Sequence, residues 1–164
     1  MFLASTKNRL SNSTIKQIKA QFPVDLSLFF TKEDVFESIK TADKITYIFR
    51  NGVPVFRADG DAYIPTVKCV HMAPEILKKV IVDKGAIKHL INGADVMAPG
   101  LLHSTSEYPL VSVGDLVAIY GYDKVSALGV GMVEMDNDQL EEQRTGVAIK
   151  MLSHLGDKIY SYAG

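Results

Sequence analysis

The sequence predicts an α+β chain built as two small units, and three observations carry that expectation. A short amphipathic helix lies near the start, an Asn-Gly dipeptide joins two β-rich runs in the first half, and many short β segments surround a single helix in the second. At 164 residues and 47% hydrophobic content the chain can bury a real core, enough for one ordinary domain or two small ones.

Ile15, Ile18 and Phe22 recur at helical spacing between Ser13 and Phe22, with Asn12 or Ser13 as N-cap and Pro23 as the stop. Lys16 and Lys19 fall off that apolar stripe, as a solvated face would. From Thr31 to Lys40 the pattern is divided: Thr31 with Asp34 has the form of a capping box and Val35 with Ile39 fits a helix, yet the run is short and β-branched enough for a strand. Lys44–Arg50 and Val53–Arg57 then flank Asn51-Gly52, whose tolerance of positive φ suits a tight hairpin, with Pro54 on a free edge or a bulge. Tyr47, Phe49 and Phe56 alternate as a core face does, and a further strand is expected over Ala62–Cys69.

Between Pro74 and Val82 the chain passes into its second unit without a low-complexity linker. Val80–Val82 reads as a strand, and Asp83 can cap a helix from Lys84 to about Asn92, with Gly93 taking the left-handed position after it. Strands follow at Asp95–Met97, Leu116–Tyr120, Ser126–Met135, Gly146–Leu152 and Lys158–Tyr162, the pattern of a small barrel. Gly129 and Gly131 inside one of these strands point to close barrel packing.

Net charge is −1, but it is unevenly spread. Residues 1–80 carry 12 Lys/Arg against 8 Asp/Glu, and residues 81–164 carry 6 against 11, five of those acids lying between Glu134 and Glu142. A basic face for nucleic-acid phosphates is therefore compatible with the average, the acidic stretch being a solvated helix or loop. Cys69 is the only cysteine, which excludes an internal disulfide and suits a reducing compartment. There is no long uncharged apolar run, and Met1–Arg9 lacks the order of a secretory signal, so a cytoplasmic protein with no membrane partner is expected.

The stretch from Val82 through Asp83-Lys84-Gly85-Ala86-Ile87-Lys88-His89 to Ala98-Pro99-Gly100-Leu101 strongly resembles the opening of a PUA domain, an RNA-binding module. Val113–Ile119, Ala127–Gly131 and Gly146–Tyr160 agree with that family in order and spacing, four blocks in register. Upstream, Asn51–Phe56 followed by Tyr63–Thr66 resembles the pre-PUA domain of the multiple-copies-in-T-cell-malignancy translation factor and its archaeal relatives. The resemblance implies an α/β pre-PUA domain over residues 1–78, with Val35–Lys40 as a strand, and a PUA pseudo-β-barrel over residues 79–164. It also implies work on tRNA or the small ribosomal subunit in translation initiation or recycling. In eukaryotes the similar factor pairs with the density-regulated protein, and the related ligatin holds both parts in one chain, so a translation-factor partner is a further expectation.

The implied RNA site lies in a cleft between the helix, the strand after it and the last strands. Its candidate residues are Lys84, Gly85, Ala86, Lys88 and His89 on the helix, Ala98, Pro99, Gly100 and Leu101 after the next strand, and Asp157 and Lys158 on the opposite wall. Lys84 and Lys88, four apart, share a helix face, while the near-absent side chains of Gly85 and Ala86 would let a sugar-phosphate chain approach backbone N–H groups. Asp83 competes for those same groups and reads as structural. His89 and His103 could stack on a nucleotide, though surface or core histidines are commoner. Lys7 and Arg9, expected in a mobile tail, and Arg50 and Arg57, flanking the hairpin, are candidates for auxiliary contacts to RNA or the ribosome.

An enzyme is not expected. The roughly eighty residues ahead of the PUA blocks are too few for a pseudouridine synthase catalytic domain, and no phosphate loop, nucleophile elbow or zinc helix motif appears. Cys69 and His71 have strand-like spacing for a metal but lack a second pair, so neither metal nor cofactor is assigned. The alternative to an RNA binder is a protein-interaction adaptor or RNA-modification accessory protein on the same fold, docking through the acidic stretch.

Overall fold

The computed structural model describes residues 4–161, which divide into two units. Residues up to Ile76 and the segment from Lys158 onward make the first, and Leu77–Asp157 makes the second.

The first unit is an antiparallel five-stranded sheet in the order β1 (Ala4–Arg9), β2 (Phe36–Thr41), β3 (Thr46–Arg50), β4 (Val53–Asp59) and β5 (Ala62–Pro65). Lys7 and Arg9 therefore belong to a strand and not to a mobile tail; Lys7 Nζ stands 3.6 Å from a carboxylate oxygen of Glu37 on β2. Asn51 and Gly52 take φ of 51° and 83°, the left-handed pair whose twist matches a two-residue hairpin. Pro54 pairs with Phe49, but the next pair is Ile48 with Phe56, so Val55 is an extra residue and Pro54 sits at a bulge, where its missing N–H does least harm.

Helix α1 (Asn12–Gln21) starts one residue earlier than expected, because Ser11 and not Asn12 or Ser13 is the N-cap, its hydroxyl accepting from Thr14 N–H. Ile18 and Phe22 are buried, and Phe22, Phe29, Phe30, Phe36 and Phe56 form a chain of ring contacts, with Phe30 stacked on Phe36 at 4.5 Å between centroids. Thr31 and Asp34 do meet, the Thr31 N–H and hydroxyl both donating to Asp34, but they close a turn ahead of β2 and start no helix.

The strand expected over Ala62–Cys69 stops at Pro65. Thr66 turns its hydroxyl to accept from Cys69 N–H and caps helix α2 (Val67–Met72), so the β-branched Val67 and Val70 are buried by a helix. Cys69 is buried and His71 exposed on that helix, and burial pushes the Cys69 thiol up from its ordinary range. Two residues apart on a helix they face different ways, which removes the strand-like spacing that had made them a metal pair. Strand β3 is buried on both faces: Ile48 on one, Tyr47 and Phe49 on the other, where they cluster with Ile39 and Ile159. Ile159 lies in a turn, and no strand forms over residues 158–161, contrary to the expected final strand; residue 162 lies outside the described residues.

The second unit is a curled sheet in the order β6 (Lys78–Val82), β8 (Leu116–Gly121), β9 (Gly129–Val133), β10 (Val147–His154) and β7 (Val96–Met97). β6 and β8 are parallel and the other pairs antiparallel. The edge strands β6 and β7 are consecutive in sequence, joined by a 3₁₀ turn over Lys84–Ala86 and helix α3 (Ile87–Ile91), so this connection bridges the open side of the sheet. Val80, Val82, Leu90, Val96, Ala98, Leu101, Val117, Ile119 and Ile149 fill the interior. Gly131 is required by packing: a Cβ there would stand 2.4 Å from Ile149 Cγ2 and 2.8 Å from the Lys150 carbonyl. The acidic stretch forms helix α4 (Asn137–Gln143), started by a full capping box between Asp136 and Gln139 and anchored by buried Leu140.

Candidate functional site

The bridging connection carries a groove of about 640 Å³. Asp83, at the end of β6, donates its backbone N–H to the Gly100 carbonyl and accepts the Gly85 N–H at a side-chain oxygen, 3.1 Å in each case. That side-chain bond starts the 3₁₀ turn as the sequence suggests, and it occupies an N–H that a phosphate would have used. Gly93 follows α3 at φ 93°, with the His154 ring wedged beneath it; His154 Nδ1 stands 3.0 Å from the Ile91 carbonyl, fixing the end of the helix. Gly156 is held equally close, because a Cβ on it would meet the Ile91 carbonyl at 2.6 Å.

One wall of the groove is Asp83, Gly85, Ala86, His89 and Leu90; the facing wall is Ala94, Asp95, Val96, Met97, Pro99, Gly100 and His103. Of the residues expected from the sequence, Gly85, Ala86, His89, Pro99, Gly100 and His103 come together here. The rest do not. Ala98 and Leu101 lie three apart on one face of a 3₁₀ turn over Ala98–Leu101 and are buried in the core, at 0% and 5% exposure. The Asp157 carboxylate accepts the His154 N–H at 3.0 Å and so closes the turn after β10, while Lys158 groups with the first unit, so neither forms an opposite wall. Lys84 and Lys88 are exposed and adjoin the groove in sequence, but they are not among its lining residues. The expected lining of backbone and lysine is thus corrected: the charged residues that line the groove are Asp83 and Asp95.

Asp95, Met97 and the lining role of Leu90, Ala94 and Val96 are not expected from the sequence, since none of them carries the positive charge that RNA phosphates call for. Asp95 holds β10 in place by accepting the Met151 N–H at 2.8 Å, and it presents its other oxygen without a hydrogen bond among the described residues. Met97 is 47% exposed and lines the groove. The small residues have a visible purpose: a Cβ on Gly100 would meet Asp83 Oδ1 at 3.6 Å and Ala86 Cβ at 3.7 Å, narrowing the groove at its waist.

Arg50 is committed to the first unit's own structure. Its guanidinium lies over Phe29 at 4.8 Å, its Nε donates to the Phe29 carbonyl and its Nη2 stands 3.3 Å from Asp34. Arg57 is half-buried in β4, paired with Tyr47 and Ile64. Among the described residues no group of three or more metal-ligating side chains occurs, and no helix is long and apolar enough to cross a membrane.

Comparison with known proteins accounts for both units. Residues 2–74 match the Pre-PUA-like domain and residues 78–155 match the PUA domain. The chain is 33% identical to translation machinery-associated protein 20 of Saccharomyces cerevisiae over 135 residues, which is 80% of this chain and 75% of that one. It is 32% identical to malignant T-cell-amplified sequence 1-B of Xenopus laevis over 160 residues, 93% of this chain and 88% of that one. Among solved structures, a hypothetical protein from the hyperthermophilic archaeon Pyrococcus horikoshii superposes with a TM-score of 0.74 at 28% identity, covering 95% of this chain and 98% of the other. With both domains matched in order and the likeness running through nearly the whole chain, this protein belongs to the family of pre-PUA and PUA domain proteins that includes the translation machinery-associated and malignant T-cell-amplified sequence proteins.

Proposed function

We propose that the chain is a non-catalytic RNA-binding protein of the translation machinery, acting on tRNA or the small ribosomal subunit, with the groove of the second unit as its RNA site. The observation that carries this reading is the groove itself: a cleft of about 640 Å³ on the PUA domain, walled by glycine, alanine and proline, flanked by two histidines and open to an incoming chain. The name of the yeast relative supports the setting in translation. Lys84 and Lys88 are exposed beside lining residues and form no ion pair among the described residues, so they are placed to meet phosphates at the rim while the groove takes another part of the RNA. The acceptor end of tRNA is the ligand proposed, since its unpaired nucleotides can be splayed into such a cleft. A partner factor would dock elsewhere.

Binding of tRNA, measured by filter retention across a salt series, tests this. Replacing both Lys84 and Lys88 by Ala should weaken binding and reduce the slope of log K against log salt by roughly 0.7 to 0.9 for each phosphate that is no longer neutralised. Trimming the unpaired acceptor-end nucleotides from the tRNA should weaken it further. Unchanged affinity in both cases removes the groove from the proposal.

A further inference from the structure

The first unit has a hollow of its own, and its walls come from the chain that follows α1 and from the end of α2. After α1 the Leu26 carbonyl accepts the N–H groups of both Phe29 and Phe30 at 3.0 Å. The turn this makes sends Phe29 inward, at 6% exposure, and leaves Leu28 outside at 88%. At the end of α2, Met72 is 41% exposed, and Glu75 follows in a 3₁₀ turn over Pro74–Ile76. Arg50 ties the two walls together: Nε donates to the Phe29 carbonyl at 3.0 Å and Nη1 to Met72 Sδ at 3.7 Å. Between them lies a cavity of about 220 Å³, with Leu28 and Met72 among its apolar lining. That volume is below the roughly 300 Å³ at which cofactor-sized sites begin, and it suits one bulky side chain projecting from a larger partner.

The charges narrow the choice of partner. Asp25 and Glu75 line the cavity, both are exposed, and neither forms an ion pair among the described residues. Hydrogen bonds from Ser27, with a smaller contribution from the charge of Lys19, hold the Asp25 carboxyl below its ordinary range, so it is ionised at neutral pH. Arg50, the cation in the lining, has its charge met by Asp34 at 3.3 Å and its face laid on Phe29. A phosphate or an acidic segment meets two carboxylates here. A segment with Lys or Arg beside its anchor meets complementary charge.

We infer that this cavity is a docking site for a segment of a partner protein in which a bulky apolar side chain is flanked by a basic one. The apolar side chain enters between Leu28 and Met72, and its Lys or Arg neighbour faces Asp25 and Glu75. The inference is independent of the RNA reading, because every residue lining this cavity belongs to the first unit and every residue lining the groove to the second. With both walls already tied to Arg50, the cavity needs no rearrangement to take its anchor. The anchor supplies most of the affinity and the carboxylates select the sign of its neighbour, since exposed ion pairs are worth little by themselves.

The experiment pans a phage-displayed library of short random peptides on the immobilised full chain, then titrates the enriched peptides, synthesised with a fluorescein label, by anisotropy. Enriched peptides are expected to pair a bulky apolar residue with a neighbouring Lys or Arg. Two substitutions at exposed positions, L28D and E75R, keep the fold, which thermal melting checks. L28D should weaken binding by about tenfold or more, and E75R by about two- to fivefold. Exchanging the basic residue of the peptide for Glu should weaken binding to the parent chain and restore it on E75R, a reversal that mere loss of structure cannot produce. The affinity for tRNA should be unchanged in both variants. The docking site is overturned if no peptide is enriched, or if the enriched peptides bind L28D and E75R as tightly as the parent. A concentration-dependent dimer in sedimentation equilibrium that L28D abolishes gives the cavity to a second copy instead, and a loss of tRNA binding in both variants gives it to RNA; either result overturns the peptide site. None of these outcomes bears on the Lys84 and Lys88 test, which decides the RNA reading separately.

Discussion

Asp34 shows how a single side chain can set the acid stability of the first unit. It accepts from Thr31 and Asn51 and stands beside Arg50, and these hydrogen bonds, aided by that charge, hold its carboxyl down at about 2. Because the folded value lies below the ordinary carboxylate value of 3.8, the stabilisation is fully present above about pH 4 and is lost as pH falls toward 2. Denaturant titrations from pH 6 to pH 2 should therefore show an acid limb in that window, and D34N should flatten it. Glycines are the other single positions that decide something. Gly131→Ala forces a methyl against Ile149 and the Lys150 carbonyl and should cost about 1 to 3 kcal/mol in urea unfolding, whereas Gly100→Ala, with ordinary contacts near 3.6 Å, should leave stability nearly unchanged.

At the level of elements, local chemistry written in consecutive residues was legible and chemistry assembled from distant ones was not. Asn51-Gly52 announces its turn, and Asp83 and Gly93 mark the ends of the helical bridge, because each acts on neighbours within a few positions. Asp136→Ala removes the capping box and should cost roughly 1 kcal/mol, seen as a lower melting temperature. Helix α2 was misread because Val67 and Val70 favour strands locally, and burial beneath the sheet of the first unit outweighed that preference. The groove was half legible: its small residues stand in a recognisable run, but Asp95 and Met97 acquire their meaning only when the chain brings β7 opposite the 3₁₀ turn. Neither has the charge by which an RNA site is usually recognised.

The molecule as a whole is organised so that the first unit is discontinuous in sequence, while the second is a single stretch from Leu77 to Asp157. Ile159 is 6% exposed and supplies part of the cover for Ile39, Tyr47 and Phe49, so its side chain is a core residue of a unit that began more than a hundred positions earlier. Ile159→Ala should cost about 2 kcal/mol or more. Hydrogen exchange should locate that loss in β2 and β3, with β8 and β9 of the second unit keeping their protection. Such an arrangement also constrains the order in which a nascent chain can mature. The hairpin around Asn51-Gly52 can form as soon as it leaves the ribosome, yet one side of its sheet stays exposed to water and to chaperones until everything through Ile159 has been translated. The second unit waits almost as long, because its own last strand runs to His154 and the unit closes only at Asp157, two residues before Ile159, so the two units complete nearly together.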